Sequence, residues 1–512
     1  MAYKDTTDLS TPSKRTGGDK STIALLFSIL CCLTITAQRL VLPGDYPDPS
    51  VVKIGDTYWA SATTSNWFPA YPLLKSKDLI NWETTGNVFT TMPQWADFYF
   101  WAPEISYDNG KVYIYYAAHK KNGNLCVGVA SADRPEGPYK DHGPLICQEV
   151  GSIDAFPMRD EAGKLHLIWK EDANSVGKPT PIWIQPLNEE RTALTGERKE
   201  LFRNNESWEK NLVEGVSMIK HGDWFYAFYA AAGCCGAGCD YATGVARSKN
   251  LLGPWEKYNK NPVLTDYGEW KCPGHGTPIE KDGRYYFLYH AYNKNTSIYT
   301  GREGLLMEFR FTPDGWIEFV QDNAPDVAIP QKITDAFKGR NVSTNWQWSV
   351  FQQPEHTIRR GRLQLGAMPI PTGAFLGQKT YTGNYGVSVL VKIKKSDAAA
   401  GIGAIGDEKN AVTALVQDNK IILLQVKDGK ESIVIEQAVT AKKNLYLQMH
   451  VANGKNITFL YSSDGKTFQP LNTQAIDASY LPPWDRAVRA GLIAKGASGQ
   501  KAVFDNFELR NK

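Results

Sequence analysis

The sequence has almost no excess of charge of either sign. Its 512 residues include 57 Lys and Arg against 54 Asp and Glu, a formal net charge of +3. Binding to phosphate-rich partners needs clustered positive charge, so this composition argues against nucleic acid and against an anionic membrane surface as partners. Cysteine is also scarce: there are eight residues, and none of them lies in a pattern with zinc-ligand spacing.

Long apolar runs are rare as well, and the most apolar stretch covers residues 22–37. It is short for a bilayer span, follows a basic lead that contains Lys14, Arg15 and Lys20, and ends on small residues before Gln38. We interpret residues 1–37 as a signal peptide, which predicts a periplasmic, secreted or cell-surface protein without an integral membrane domain after cleavage. The long lead leaves a membrane-tethered form open.

Export would allow the six cysteines after residue 37 to form disulfides, but the sequence does not give their pairing. They are Cys126, Cys147, Cys234, Cys235, Cys239 and Cys272. Three of them fall in the segment GCCGAGC, which lacks a second ligand pair, so a disulfide is favoured there over a metal site.

A repeated unit organises the first part of the chain. Residues 44–60 read GDYPDPSVVKIGDTYWA: an acidic residue and a proline open a strand, and a Gly-Asp turn leads into an aromatic second strand. Similar units follow four more times, and their equivalent positions are taken as Asp48, Ala102, Asp154, Glu214 and His275. The gaps of 54, 52, 60 and 61 residues fit four-stranded blades with loops. We therefore predict an all-β protein whose residues 38–325 form a five-bladed β-propeller.

The C-terminal part of the chain has a different pattern. Residues 326–332 read as a linker, and residues 333–512 contain alternating strands separated by Asp-Gly and Asn-Gly turns without the blade motif. This pattern predicts an antiparallel β-sandwich of the jelly-roll type. A chain of 512 residues is also too long for one ordinary domain.

The predicted propeller brings the first residues of its inner strands to one axial mouth. Three of these residues are the carboxylates Asp48, Asp154 and Glu214. Glycoside hydrolysis uses one protonated carboxyl group and one ionised carboxylate, and a third carboxylate can help to hold the proton on the acid. Capping of strand turns is the alternative, but three carboxylates on an axis that normally packs apolar side chains favour chemistry.

Other residues are predicted at the same mouth. Trp67, Phe68, Phe100 and Trp101 would stack on the face of a sugar or, alternatively, pack the rim. His275 would bind an axial water or cation, or serve as a structural residue. Aromatic residues make up 12% of the chain, which suits a sugar-handling protein, although aromatic-rich β-structure is the simpler explanation.

Several motifs resemble glycoside hydrolase family 43 over about 280 residues and in the same order. They are YPDPS, FWAPE, EGVSMIKHGDWFYAFY, GHGTPIEKDGRYYFLYH and GREGLLMEFRFTPDGW. The resemblance implies hydrolysis with inversion and no cofactor for the chemistry. It implies that Asp48 is the general base, that Glu214 is the general acid, and that Asp154 raises the pKa of the acid and positions it. His275 resembles the histidine that holds a central water or calcium ion, and Arg302 resembles an arginine that contacts substrate.

The C-terminal sandwich resembles, more weakly, the concanavalin-like domain of the family's β-xylosidases, which can lend a loop to the active-site pocket. The resemblance predicts an exo-acting hydrolase that releases α-L-arabinofuranosyl or β-D-xylosyl units from plant hemicellulose or its oligosaccharides. Family members that act on arabinan or galactan remain an alternative, because GCCGAGC is not general among those xylosidases.

Two other functions are weighed against this one. Retaining fructan hydrolases also have five blades, but they use an Arg-Asp-Pro triplet where this chain has Arg159, Asp160 and Glu161 in a hairpin turn. A noncatalytic carbohydrate-binding propeller would need sugar contacts, but it would not need both Asp48 and Glu214 as a matched base and acid.

Overall fold

The computed structural model describes residues 38–320, 324–440 and 443–512 of the chain. The predicted signal peptide lies outside the described residues. Within them, helical structure is limited to the short α-helix Ser297–Thr300 and the 3₁₀ turns Ala173–Val176, Ser207–Glu209 and Ile393–Lys395. In the described ranges, no helix has the length and apolar character needed to cross a membrane. The protein is thus nearly all β, as predicted.

The N-terminal domain contains 22 strands. In chain order they are β1 (Arg39–Leu42), β2 (Ser50–Ile54), β3 (Thr57–Ser61), β4 (Trp67–Phe68), β5 (Ala70–Ser76), β6 (Glu83–Phe89), β7 (Ala96–Asp108), β8 (Lys111–Lys120), β9 (Leu125–Ala132), β10 (Lys140–Ile146), β11 (Ser152–Arg159), β12 (Leu165–Glu171), β13 (Pro181–Pro186), β14 (Lys199–Arg203), β15 (Val213–His221), β16 (Trp224–Ala231), β17 (Ala242–Ser248), β18 (Glu256–Lys257), β19 (Trp270–Lys281), β20 (Arg284–Asn293), β21 (Arg302–Phe311) and β22 (Ile317–Phe319).

These strands form five antiparallel sheets, one for each sequence repeat. The first four sheets have the orders β2-β3-β5-β6, β7-β8-β9-β10, β11-β12-β13-β14 and β15-β16-β17-β18. The fifth contains β19, β20, β21 and β22, and the N-terminal strand β1 joins it by pairing with β21. Five sheets, in which the N-terminal strand β1 pairs with a strand of the fifth sheet, are consistent with the predicted five-bladed propeller.

The alternating aromatic pattern of the second strands explains how neighbouring sheets pack. In β20, Phe287 and Tyr289 belong to a core cluster shared with Tyr226 and Phe228 of the fourth sheet. Leu288, on the other face of the strand, packs in the cluster shared with the first sheet. Because successive side chains point to opposite faces, a strand with apolar residues on both faces is buried between two sheets.

In each sheet, a residue in or just before the inner strand has a left-handed backbone near the repeat position. These residues are Asp48 (φ 50°), Ala102 (43°), Asp154 (57°), Gly215 (61°) and His275 (36°), and β7 and β19 each have a second one, Tyr99 and Cys272. In the fourth sheet this position is Gly215, so the alignment inferred from the repeat is one residue out there and Glu214 precedes it. A Cβ on Gly215 would lie 2.7 Å from Cγ of His275. Glycine is therefore needed here for two reasons: it adopts the positive φ, and it has no Cβ to clash with the fifth sheet.

The C-terminal domain contains 16 strands. They are β23 (Lys332–Asp335), β24 (Trp348–Ser349), β25 (His356–Ile358), β26 (Leu363–Gly366), β27 (Ala374–Lys379), β28 (Tyr385–Val391), β29 (Ala399–Asp407), β30 (Asn410–Gln417), β31 (Lys420–Lys427), β32 (Lys430–Ala438), β33 (Leu445–Ala452), β34 (Asn456–Ser462), β35 (Gln469–Pro470), β36 (Ile476–Asp477), β37 (Arg489–Lys495) and β38 (Lys501–Asn511).

Two sheets make up this domain. One has the order β25-β26-β38-β28-β33-β34-β35, with β23 and β36 paired at its side, and the other has the order β27-β37-β29-β30-β31-β32. Val387, Leu447 and Phe504 of the first sheet and Ile402 and Leu492 of the second belong to one buried cluster. The predicted β-sandwich is confirmed.

A seam of hydrogen bonds joins the two domains. Strand β4 of the propeller pairs with β24 of the sandwich, with Trp67 opposite Ser349 and Phe68 opposite Trp348. Next to this pairing, Arg489 of the sandwich donates to Asp45 of the propeller at 3.0 Å, and both side chains are buried. Removing one member of such a pair leaves an uncompensated buried charge, so the pair fixes how the domains meet.

All six cysteines in the described part of the chain form disulfides. The pairs are Cys126–Cys147, Cys234–Cys235 and Cys239–Cys272, and their sequence separations are 21, 1 and 33 residues. A disulfide in the GCCGAGC segment was predicted, and the segment contains one complete pair and half of another.

These separations predict different effects on stability. Replacing Cys239 and Cys272 by Ala is expected to lower the free energy of unfolding by about 3–4 kcal/mol, because this pair closes the longest loop. Replacing Cys234 and Cys235 by Ala should change it little, because adjacent residues close no loop. Denaturant unfolding of the two double variants measures this difference; equal losses would contradict the loop-closure explanation.

Candidate active site

A cavity of about 350 Å³ lies at the mouth predicted from the repeats. This volume is at the small end of the range of about 300–1,000 Å³ that is typical of ligand pockets. Six of the nine predicted site residues line it: Asp48, Trp101, Asp154, Glu214, His275 and Arg302. The three carboxylates that the repeats predicted at one mouth, Asp48, Asp154 and Glu214, therefore lie in one cavity.

Asp48 is held by hydrogen bonds on both carboxylate oxygens. Thr63 Oγ1 donates to Oδ2 at 2.6 Å, and Arg302 Nη1 donates to Oδ1 at 3.2 Å. Its backbone N–H donates to Nδ1 of the buried His290 at 3.0 Å. Burial alone would raise the pKa of Asp48, but Arg302, the two histidines His275 and His290, and Thr63 together lower it to about 2. Asp48 is therefore ionised at neutral pH and fixed in orientation.

Asp154 lies beside the axial histidine. Its Oδ2 accepts a hydrogen bond from the N–H of Gly215 at 2.9 Å and lies 4.0 Å from Nδ1 of His275. Burial raises the pKa of Asp154 to about 6; His275 opposes this shift, and the neighbouring Glu214 carboxylate adds to it. Like charges that share a buried site favour retention of a proton by the pair.

Glu214 has two close donors. Nζ of Lys170 donates to Oε2 at 2.6 Å, and the hydroxyl of Tyr241 donates to Oε1 at 2.9 Å. Burial and the Glu214 charge raise the pKa of Tyr241 well above its usual range, so this hydroxyl keeps its proton. Lys170 also contacts Asp172 at 2.9 Å and is buried at the end of β12. Burial lowers the pKa of Lys170, but Glu214 and Asp172 raise it above the ordinary value, so Lys170 stays charged.

His275 bridges the two aspartates. Its Nδ1 lies 3.5 Å from Oδ1 of Asp48 and 4.0 Å from Oδ2 of Asp154. Within residues 38–320, 324–440 and 443–512, no group of three or more His, Cys, Asp or Glu side chains is placed to hold a metal ion. Calcium takes six to eight oxygen ligands, so these side chains do not fit a calcium site built from protein ligands.

Three of the predicted aromatic contacts are wrong. Trp67, Phe68 and Phe100 are only 1%, 3% and 0% exposed and do not line the cavity. Trp67 packs on Phe375 of the sandwich and donates from Nε1 to the carbonyl of Ala487 at 3.1 Å. Strand β24 of the sandwich pairs with Trp67 and Phe68, whereas Phe100 packs on Phe68 and Tyr71 within the propeller.

The sandwich supplies one wall of the cavity through Trp484 and Asp485. Asp485 is 1% exposed; its Oδ2 accepts from Trp101 Nε1 at 3.1 Å, and its carbonyl accepts from Arg302 Nη2 at 3.2 Å. Trp484 is 53% exposed, and its ring lies edge-on to Trp101, with 5.7 Å between the ring centroids. The second domain therefore positions two groups of the site.

The sequence patterns did not predict several residues that line the cavity, among them Lys170, Tyr241, Trp484 and Asp485. A signal existed for Lys170, because a lysine within the apolar strand LHLIWK is unusual and buried lysines are almost always paired. Arg159 of the fructan-hydrolase alternative instead pairs with Asp108 and Glu189, and it does not line the cavity.

The Asp154 and Glu214 pair predicts a particular pH dependence. If the pair must hold a proton for activity, kcat/KM should fall as pH rises through about 6, where Asp154 titrates. Replacing Lys170 by Met removes the cation beside Glu214. Because a nearby cation stabilises ionised carboxylates, its removal favours the protonated form of the Asp154 and Glu214 pair. The alkaline limb should then move up by about 1–3 pH units.

A pH profile of kcat/KM for Lys170→Met measures this shift. The matched control is Lys379→Met, since Lys379 is partly buried but lies at the domain seam over the Tyr46 ring. An alkaline limb that stays in place in Lys170→Met, or moves equally in Lys379→Met, would contradict the proposed link between Lys170 and the proton.

Glycosidases use a pair of carboxyl groups in opposite roles, and this cavity contains three carboxyl groups, Asp48, Asp154 and Glu214. Residues 37–317 match the family model for glycosyl hydrolases family 43. Residues 334–510 match the model for the beta xylosidase C-terminal concanavalin A-like domain. The chain belongs to glycosyl hydrolase family 43.

Individual relatives are more distant. A xylan 1,3-beta-xylosidase from Vibrio sp. is 30% identical over 278 residues, which are 50% of this chain and 50% of that protein. Xylosidase/arabinosidase 43B from Humicola insolens is 27% identical over 330 residues, 60% of this chain and 58% of that protein. The chain thus spans about half the length of these curated relatives. The solved GH43 BlXynB protein from Bacillus licheniformis is 25% identical, with a TM-score of 0.78 over 92% of this chain and 99% of that one.

Proposed function

We propose that the protein is an exported, inverting glycoside hydrolase that removes single pentose units, α-L-arabinofuranosyl or β-D-xylosyl, from the ends of plant hemicellulose chains or their oligosaccharides. The observation that carries this proposal is the pairing of an ionised, doubly hydrogen-bonded Asp48 with a buried Asp154 and Glu214 pair in one cavity. A binding protein needs no such difference in protonation between neighbouring carboxyl groups.

The residues divide the reaction between them as follows. Asp48 accepts a proton from a water molecule whose oxygen attacks the anomeric carbon. Glu214 donates a proton to the glycosidic oxygen as the bond to the leaving group breaks, and Asp154 keeps that proton available through like-charge repulsion. The sum of the steps is addition of one water across the glycosidic bond. The general acid, the general base and water suffice, so no cofactor takes part in these steps.

The wall formed by the sandwich supports exo action. Trp484 and Asp485 close one side of the cavity, and Asp485 is locked in place by Trp101 and Arg302. A polysaccharide that crossed the site in both directions would have to displace this buried contact. A chain end that enters from the open side meets no such barrier.

The sugar is proposed from the relatives' names. Those names are xylan 1,3-beta-xylosidase and xylosidase/arabinosidase, and both describe release of pentoses by those proteins. Arg302 and Trp101 line the cavity and are proposed to contact the terminal sugar. The three disulfides support export, because disulfides persist mainly in oxidising compartments.

Incubation with a panel of substrates tests the proposal. Xylo-oligosaccharides, arabino-oligosaccharides, arabinoxylan fragments and galacto-oligosaccharides are compared by chromatography of the products over time. The proposal predicts a pentose monosaccharide as the first and only small product. Early release of longer fragments would contradict exo action. Release of galactose would contradict a pentose as the released sugar. Binding without any product would favour the noncatalytic alternative.

A further inference from the structure

The disulfide between Cys234 and Cys235 lies in the wall of the catalytic cavity. It belongs to the loop between β16 and β17, and both cysteines are partly exposed. This loop follows the strand that pairs with the Glu214 strand. The mechanism proposed above makes no use of these sulfur atoms.

The disulfide is not needed to hold its loop. The loop is already fastened by the Cys239–Cys272 disulfide, by a hydrogen bond from the Gly236 N–H to the Tyr292 hydroxyl at 3.2 Å, and by one from the Gly233 N–H to Asp240 at 2.7 Å. A bond between adjacent residues also adds almost no loop-closure stabilisation. Its consequence is therefore local: it fixes the shape and chemistry of one patch of the wall.

That patch is apolar. Joining the two sulfur atoms removes both S–H donors, and a disulfide has no N–H or O–H group to offer a ligand. Cys234 packs against a buried cluster that contains Leu212 and Tyr241. Leu212 also lines the cavity, so the disulfide continues an apolar surface there.

The position of the patch points to one side of the scissile bond. Tyr241 belongs to the cluster against which Cys234 packs, and it donates to Glu214, the proposed general acid. The general acid must lie beside the glycosidic oxygen of the leaving group. The same loop also approaches the sandwich. A Cβ built on Gly236 would lie 3.6 Å from the carbonyl oxygen of Trp484, so the loop and the sandwich wall meet there.

We propose that the Cys234–Cys235 disulfide is an apolar wall of the subsite that binds the leaving-group sugar, where it packs against the C–H face of that sugar. The inference rests on the proposed function and deepens it. The disulfide sets how well the enzyme accepts a sugar, rather than a small group, on the leaving side. It takes no part in bond cleavage.

The test compares two substrates in the Cys234→Ala/Cys235→Ala variant. A pentosyl disaccharide has a sugar as its leaving group, whereas the matching pentosyl fluoride has none. The variant is expected to lose about 10-fold in kcat/KM on the disaccharide, mainly through KM, and to stay within about 2-fold of wild type on the fluoride. Cys126→Ala/Cys147→Ala, which removes a disulfide that does not line the cavity, should leave the ratio of the two rates unchanged.

Cys234→Ser/Cys235→Ser provides a second variant of similar size, in which two hydroxyl groups replace the apolar surface. It should show the same selective loss, and it keeps the test open if the alanine pair does not fold. Equal losses of kcat/KM on both substrates, or no loss on the disaccharide, would refute the proposed subsite. Neither result would refute the proposed hydrolase function. Peptide mapping that finds Cys234 and Cys235 unpaired in the secreted protein would overturn the proposed subsite as well. A wild-type protein that turns over neither substrate would instead refute the proposed function.

Discussion

Replacing Asp48 by Asn is expected to lower kcat/KM by about 10²–10⁴-fold while the fold remains intact. The amide keeps the size of the side chain, and its one oxygen can still accept from Arg302 or Thr63. It cannot take a proton from the attacking water. The loss should therefore appear in kcat and should not depend on the leaving group. Steady-state kinetics on a pentosyl disaccharide and on an aryl pentoside measure it.

Glu303→Gln is a suitable control for this prediction. Glu303 is 3% exposed, accepts a hydrogen bond from the Gly44 N–H at 3.0 Å, and follows Arg302 without lining the cavity. Burial raises the pKa of Glu303 to about 8, so a neutral amide resembles its state at pH 7. Near-normal activity in Asp48→Asn, or an equal loss in Glu303→Gln, would refute Asp48 as the general base.

Replacing Glu214 by Ala is expected to have an effect that depends on the leaving group. On an oligosaccharide, whose leaving oxygen needs a proton, kcat/KM should fall by about 10²–10⁴-fold. On a pentosyl fluoride or a nitrophenyl pentoside, whose leaving groups depart without a proton, the loss should be much smaller. The ratio of the two losses is the quantity to measure.

The comparison separates the two carboxylates. Asp48→Asn should show no such difference between leaving groups, so each variant serves as the control for the other. Equal losses of Glu214→Ala on all substrates would show that Glu214 holds the structure of the site or binds substrate, and would transfer the role of acid to the neighbouring Asp154.

Much of the fold was predictable because its information is local and repeated. Each blade repeats a strand, a Gly turn and an aromatic strand. Five copies of this unit predicted the extent and architecture of the N-terminal domain and placed Asp48, Asp154 and His275 at one mouth. The alignment was one residue out at Glu214, because the left-handed position in the fourth sheet is the following glycine. A repeat in sequence shows which strands correspond, but not where each strand bulges.

The parts of the site that depend on the second domain could not be predicted from these patterns. Trp101 and Asp485 are hydrogen-bonded although 384 residues separate them, and no periodicity links the two. For the same reason the rim aromatics Trp67 and Phe68 were assigned to substrate. Their burial depends on pairing with β24, and such pairing between domains leaves no local signal.

The most direct test of the central account is a proton NMR time course of the purified wild-type protein with a pentosyl oligosaccharide. It reports the released sugar and its first anomer before mutarotation in one experiment. The proposed mechanism predicts a free pentose that appears first as the inverted anomer, because Asp48 would direct water to the face opposite the leaving group. A first product with retained configuration would contradict the assignment of Asp48 as a base that activates water.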